Sequence, residues 1–149
     1  MSNFIEDLNY GLCAKEKALE ILKYNKCQVR DMTSDIKAKK DGYDFVLEGL
    51  KTPKTIIVKA DSYADSTGNM VYETKSGKSL GCMEKSKADF LFYITKNHAY
   101  MIDLKKLRKF IKENYLQERA MGDNAKGYFI RLYKLQLLNI AKELKQDVR

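Results

Sequence analysis

Hydrophobic and polar residues change period several times along this chain, and each change marks an element. Over residues 4–24, Ile5, Leu8, Leu12, Leu19 and Leu22 recur at the three-and-four spacing of one helical stripe, which predicts an amphipathic helix. Glu16 falls on or beside that stripe, where a carboxylate is costly to bury unless it is paired or holds a metal. Residues 27–30 read as a short strand and 31–40 as polar, irregular chain. From 43 to 48 the period drops to two, with Tyr43, Phe45 and Leu47 on one face and Asp44, Val46 and Glu48 on the other. Residues 49–54 turn the chain. A second strand is expected over 55–61, with Ile57, Lys59 and Asp61 sharing a face, and a third over 70–75, with Val71, Glu73 and Lys75 sharing one. Polar loops at 62–69 and 76–81 separate these strands.

The C-terminal half continues the alternation. A short helix is expected at 85–89, then a strand pair at 90–94 and 99–102 around Lys96-Asn97-His98. Asp103 suits the N-cap of a helix over 104–115 that turns Leu104, Leu107, Phe110 and Ile111 inward. Residues 127–132 read as another strand and 135–145 as a closing helix. This order predicts one α/β or α+β domain over residues 1–149, with a mixed central sheet flanked by helices.

Composition narrows the class. At 149 residues the chain can bury roughly two-thirds of its unfolded surface. Apolar content of 44% and charged content of 32% describe a soluble domain, and no apolar run is long enough to span a membrane. Residues 1–7 lack the basic and apolar regions of a signal peptide, and Cys13, Cys27 and Cys82 have no metal or redox spacing. The expectation is a cytoplasmic protein with free thiols. Net charge of +8 favours a phosphate-rich partner such as DNA. The lysines are dispersed, among them Lys37, Lys39, Lys40, Lys85 and Lys87, which suggests a basic face on a folded domain.

Two familiar chemistries are excluded. Lys75-Ser76-Gly77-Lys78-Ser79 lacks the earlier glycine of a phosphate loop, because Tyr72 stands there. His98 is the sole histidine, in a predicted turn, and the sequence offers no Ser/His/Asp or Cys/His constellation to build around it. What remains is a set of Asp, Glu and Lys residues on consecutive predicted strands. Phosphodiester cleavage uses a divalent cation held by hard oxygen ligands, and a lysine nearby can stabilise charge on the phosphorane.

The segments Asp41-Gly42-Tyr43-Asp44-Phe45, Val58-Lys59-Ala60-Asp61, Thr67-Gly68-Asn69-Met70-Val71-Tyr72-Glu73, Gly77-Lys78, Gly81 and Ser86-Lys87-Ala88-Asp89-Phe90 occur in an informative order. Together they resemble the PD-(D/E)XK nuclease superfamily, and within it the small phage and prokaryotic restriction-endonuclease-like or Holliday-junction-resolvase-like members. The resemblance covers roughly residues 11–103. It implies a Mg²⁺- or Mn²⁺-dependent endonuclease acting on branched or duplex DNA. Asp44 matches the first metal-binding aspartate and Lys59 the lysine of the (D/E)-x-K element. Glu16 matches a helix glutamate that joins the metal site, and Glu73 an acid on the following strand. Resolvase-like relatives imply a homodimer.

The sequence departs from that pattern at Ile57, which occupies the place of the (D/E) and cannot ligate a cation. Glu73 could supply the missing ligand from the neighbouring strand. Alternatively Glu73-Thr74-Lys75 is itself the (D/E)-x-K element, which makes Lys75 the catalytic lysine. The third reading is a catalytically degenerate fold that binds DNA or inhibits a nucleic-acid-binding partner. Lys37, Lys39, Lys40, Lys85 and Lys87 are the candidate phosphate contacts.

Overall fold

The computed structural model describes residues 4–122 and 124–146, with side chains from Cys13 onward. In chain order its elements are α1 (Phe4–Tyr24), β1 (Gln28–Asp31), α2 (Ile36–Asp41), β2 (Phe45–Glu48), β3 (Lys54–Ala60), α3 (Ala64–Thr67), β4 (Asn69–Ser76), β5 (Ser79–Leu80) and α4 (Cys82–Lys85). There follow β6 (Phe90–Ile94), β7 (Ala99–Asp103), α5 (Leu104–Glu113), β8 (Arg119–Ala120), β9 (Ala125–Arg131), α6 (Leu132–Leu137) and β10 (Ala141–Glu143).

Six strands form a mixed central sheet in the order β1-β2-β3-β6-β7-β10. Only β3 and β6 run parallel, with Ile57 opposite Leu91 and Lys59 opposite Tyr93. Parallel neighbours cannot be joined by a tight turn, so a crossover must leave the sheet and return. Here the crossover carries α3, β4, β5 and α4, and β4 joins a second, antiparallel sheet of order β5-β4-β9-β8. The mixed sheet flanked by helices is therefore as expected, but β4 is not a neighbour of β3.

Strict alternation sorts the core strands between two faces. Phe45, Ile56, Val58, Phe92 and Ile94 pack against Ala14, Ala18, Ile21 and Leu22 of α1. Ile57, Leu91, Tyr93 and Ile102 face the other way, toward Met70, Tyr72 and Ile130 of the second sheet and Leu104, Leu107 and Phe110 of α5. A sheet covered on both faces gives near-continuous apolar strands, as the run Phe90-Leu91-Phe92-Tyr93-Ile94 does. On α1 the stripe uses Ala14, Ala18, Ile21 and Leu22, with Leu19 half-buried against the same cluster. The expected stripe members Ile5, Leu8 and Leu12 lie outside the described side chains.

Four local expectations are corrected. The segment 31–40, expected to be irregular, contains α2, whose N-cap Asp35 accepts from Ala38 N at 2.8 Å. Ala38 is the one residue α2 buries, so the helix has no apolar period to betray it. The short helix expected at 85–89 lies earlier, as α4, and 86–89 leads extended into β6. The loop expected at 62–69 holds the single turn α3, closed by Gly68. The closing helix expected over 135–145 ends at Leu137. Asn139 then enters the left-handed region at φ 58°, and β10 pairs Ala141 with Ile102. Burial of Ile140 and Ala141 against the sheet outweighs the helical tendency of that segment. By contrast, Asp103 caps α5 as expected, accepting from Lys106 N at 3.0 Å.

Candidate functional site

Asp44 stands just before β2 and is tied to β3 twice. Its backbone N–H donates to Ile56 O at 2.8 Å, and its Oδ2 accepts from Val58 N at 2.8 Å. These two bonds bracket Ile57. The other carboxylate oxygen, Oδ1, lies 3.1 Å from the ammonium of Lys15 on α1, with the Asp44 side chain only 15% exposed. Glu16, the α1 acid singled out from the sequence, is exposed and lies off the buried stripe of Ala14, Ala18 and Leu22. The helix therefore presents Lys15 to Asp44 rather than Glu16. No sequence signal marked Lys15, because one lysine among many becomes special only through the packing of α1 on the sheet.

Glu73 lies on β4, half-buried, opposite Gly127 of β9. It lines a cavity of about 500 Å³ together with Ile57, Lys39, Lys40 and Lys85. Two glycines shape this space. Gly42 closes α2 with φ 76°, and a Cβ there would meet Ser86 Cα at 2.9 Å. Ser86 Oγ in turn donates to Gly42 O at 2.5 Å. Gly81, whose Cβ would meet Glu73 O at 2.3 Å, lets α4 begin directly against β4. Lys39 and Lys40 thus come from one wall and Lys85 from the other. Among the described residues no carboxylate pairs with any of the three.

The remaining candidates are scattered. Lys59 is half-buried on β3, two residues beyond Ile57, and does not line this cavity. Lys75 is exposed beyond a β-bulge that inserts Thr74, and it faces Leu80 of β5. Lys37 is exposed on α2. Lys87 sits 3.6 Å from Asp41, and its backbone N–H donates to Asp41 O at 2.8 Å, so it braces the end of α2. Asp61 accepts from Tyr63 N at 2.8 Å and from the buried Tyr93 hydroxyl, which makes it a brace between β3 and β6.

Of the acids expected to hold a divalent cation, Asp44 and Glu73 lie near the sheet and Glu16 does not. Both oxygens of Asp44 are engaged, Ile57 offers no donor, and Glu16 points to solvent. Among the described residues no three His, Cys, Asp or Glu side chains converge on one position. The three cysteines are free, and no described helix is long and apolar enough to cross a membrane. Comparison with protein-family models, with curated proteins and with solved structures found no match.

Proposed function

We propose that this protein binds DNA through the lysine-lined cavity and does so without cutting it. The supporting observation is the lining itself: among the described residues, three lysines without an ion-pair partner from two walls, with Glu73 the one carboxylate among them. Such a surplus of positive charge in a concave site attracts a phosphate backbone and releases its counterions. Ile57 supports the non-cleaving reading, because it closes the floor with a methyl-bearing side chain that is 6% exposed. Backbone contacts of this kind specify shape more than sequence.

The test is binding of fluorescently labelled duplex, single-stranded and four-way-junction DNA across a salt series. Each lysine that contacts a phosphate contributes about one to the slope of log K against log salt. A variant carrying Lys39→Ala, Lys40→Ala and Lys85→Ala is expected to lose about two to three from that slope. An unchanged slope, or no binding by the parent protein, overturns the reading.

A second reading, metal-dependent cleavage, would rest on Asp44 and Glu73, the acids on either side of Ile57. Ile57 is bracketed by the bonds of Asp44 and shares a cavity wall with Glu73. Cleavage of any of the three DNAs with Mg²⁺ or Mn²⁺, abolished by Asp44→Ala, establishes this reading in place of the first.

A further inference from the structure

Alternation along β4 sends Tyr72 to the opposite side from Glu73, into a separate cavity of about 540 Å³. Pockets that take small ligands run from roughly 300 to 1,000 Å³. The wall is built around a polar knot. The buried Tyr72 hydroxyl donates to Glu84 Oε2 at 2.8 Å and accepts from Arg108 Nε at 3.0 Å. Arg108 Nη2 donates to Met83 O at 2.6 Å and to Ser86 O at 2.8 Å. No carboxylate pairs with Arg108 among the described residues, and its Nη1 has no partner there. The guanidinium is thus fixed in place, linked to the Glu84 carboxylate only through the shared Tyr72 hydroxyl, with one nitrogen left over.

One turn along α5, Lys112 lines the same cavity and is likewise unpaired among the described residues. Aromatic surface completes it. The Tyr128 ring lies 6.1 Å from that of Tyr72 at an angle of 45°. Tyr115 stands at the mouth, 89% exposed, on a backbone held at φ 50°. A tyrosine in the left-handed region is uncommon and strained. Here it closes α5, where the Leu116 N–H donates to Ile111 O at 3.3 Å, and the turn leaves a large ring in water on the wall that carries Lys112, where a planar ligand could stack.

We propose that this cavity binds a nucleotide unit, its base against Tyr115 and Tyr128 and its phosphate on Lys112 and Arg108. Stacking on tyrosine suits a planar face, and Arg108 and Lys112, which outnumber the single Glu84 carboxylate of the lining, favour an anion attached to it. A nucleotide supplies both, whether free or as an unpaired residue of a single strand. The proposal goes beyond the lysine-lined cleft and does not rest on it.

Amide-resolved NMR titration tests it, using deoxyadenosine 5′-monophosphate, adenosine, inorganic phosphate and a single-stranded deoxyadenosine hexanucleotide. The monophosphate is expected to shift Lys112, Tyr115 and Tyr128 while leaving Lys39, Lys40 and Lys85 unmoved. Tyr115→Ala, at an exposed site, is expected to weaken it about tenfold. Lys112→Ala is expected to weaken the monophosphate but not adenosine. A hexanucleotide that binds much tighter than the monophosphate identifies a strand as the source, and equal affinities identify a free nucleotide. The response must survive Lys39→Ala, Lys40→Ala and Lys85→Ala together, which separates its failure from that of the cleft. Absence of shifts at Lys112, Tyr115 and Tyr128, or equal binding of inorganic phosphate that ignores Tyr115→Ala, overturns the proposal.

Discussion

The ammonium of Lys15 lies 3.1 Å from Oδ1 of Asp44, whose side chain is 15% exposed. The pair joins α1 to the central sheet at the start of β2. Each Asp44 oxygen thus has a partner, since Oδ2 accepts from Val58 N. Lys15→Met removes the charge while keeping the apolar stem. Lys15 is 41% exposed, so the pair is worth at most about 1 kcal/mol, and the variant should melt close to the parent. Millimolar Mn²⁺ should leave the melting temperature of the parent unchanged and raise that of Lys15→Met, because an ion that binds only the folded state stabilises it. Scanning calorimetry with and without the ion reads both effects. An equal rise in both proteins would show that Lys15 does not block the site.

Ile57→Glu puts an acid on β3, but it also replaces a packed core side chain. Ile57 belongs to the cluster with Leu91, Tyr93 and Tyr72. Loss of that packing and burial of a carboxylate should cost about 2–4 kcal/mol, against about 1 kcal/mol for Ile57→Val. Urea unfolding measures both. Recovery of most of the loss on adding Mn²⁺, together with new DNA cleavage, would mean that one side chain separates this fold from catalysis. Loss without recovery would place Ile57 wholly in the core.

Gly42→Ala strains the turn that orients Lys39 and Lys40. A left-handed alanine costs about 1–2 kcal/mol, and its Cβ would press on Ser86 Cα. The expected result is a lower urea midpoint and weaker DNA binding. Asp41 and Lys87 hold the same junction, so Lys87→Ala should weaken binding by a smaller factor without changing the midpoint appreciably. A Gly42→Ala protein that loses stability but binds DNA as the parent does would detach the lysines from the turn.

Burial pushes the pKa of the Tyr72 hydroxyl from its ordinary 10.0 up to about 12; Arg108 opposes the rise and the Glu84 carboxylate adds to it. A group whose folded pKa lies above its unfolded value gives stability that is complete below the unfolded pKa and is lost as pH rises through the folded one. The protein should therefore lose stability between about pH 10 and pH 12. Tyr72→Phe should flatten that decline, at the cost of leaving Glu84 and Arg108 without their shared partner. Unfolding free energies measured across this range, parent against variant, decide the matter. Parallel curves would assign the alkaline loss to other tyrosines.

Much of the central sheet and α5 was legible in the sequence for a simple reason. Strands such as β3 and β6 are covered on both faces and so read as apolar runs. In α5 an inward stripe coincides with the Asp103 cap. The second sheet was not legible, because nothing local in Asn69–Ser76 tells whether it pairs with β3 or with a strand near the C-terminus. That choice sets where Glu73 points. The same applies to Lys15: its importance arises where α1 crosses the sheet, and periodicity marks only which α1 residues are apolar. Helix α2 did carry signals, Asp35 before it and Gly42 after it, but it lacks the buried face that would have drawn attention to them.

The pairing of β4 with β9 also has a bearing on how the molecule assembles. These strands come together across a long stretch of chain that includes the whole β6–β7 hairpin and α5. Loop closure over such distances is entropically slow, so the central sheet and α5 can form while β4 still lacks its partner. In that interval β4 is an open edge carrying Met70, Val71 and Tyr72, a template for pairing with another chain. The same order of events would make the tyrosine-lined cavity a late product of folding, complete only once Tyr128 on β9 has docked beside Tyr72.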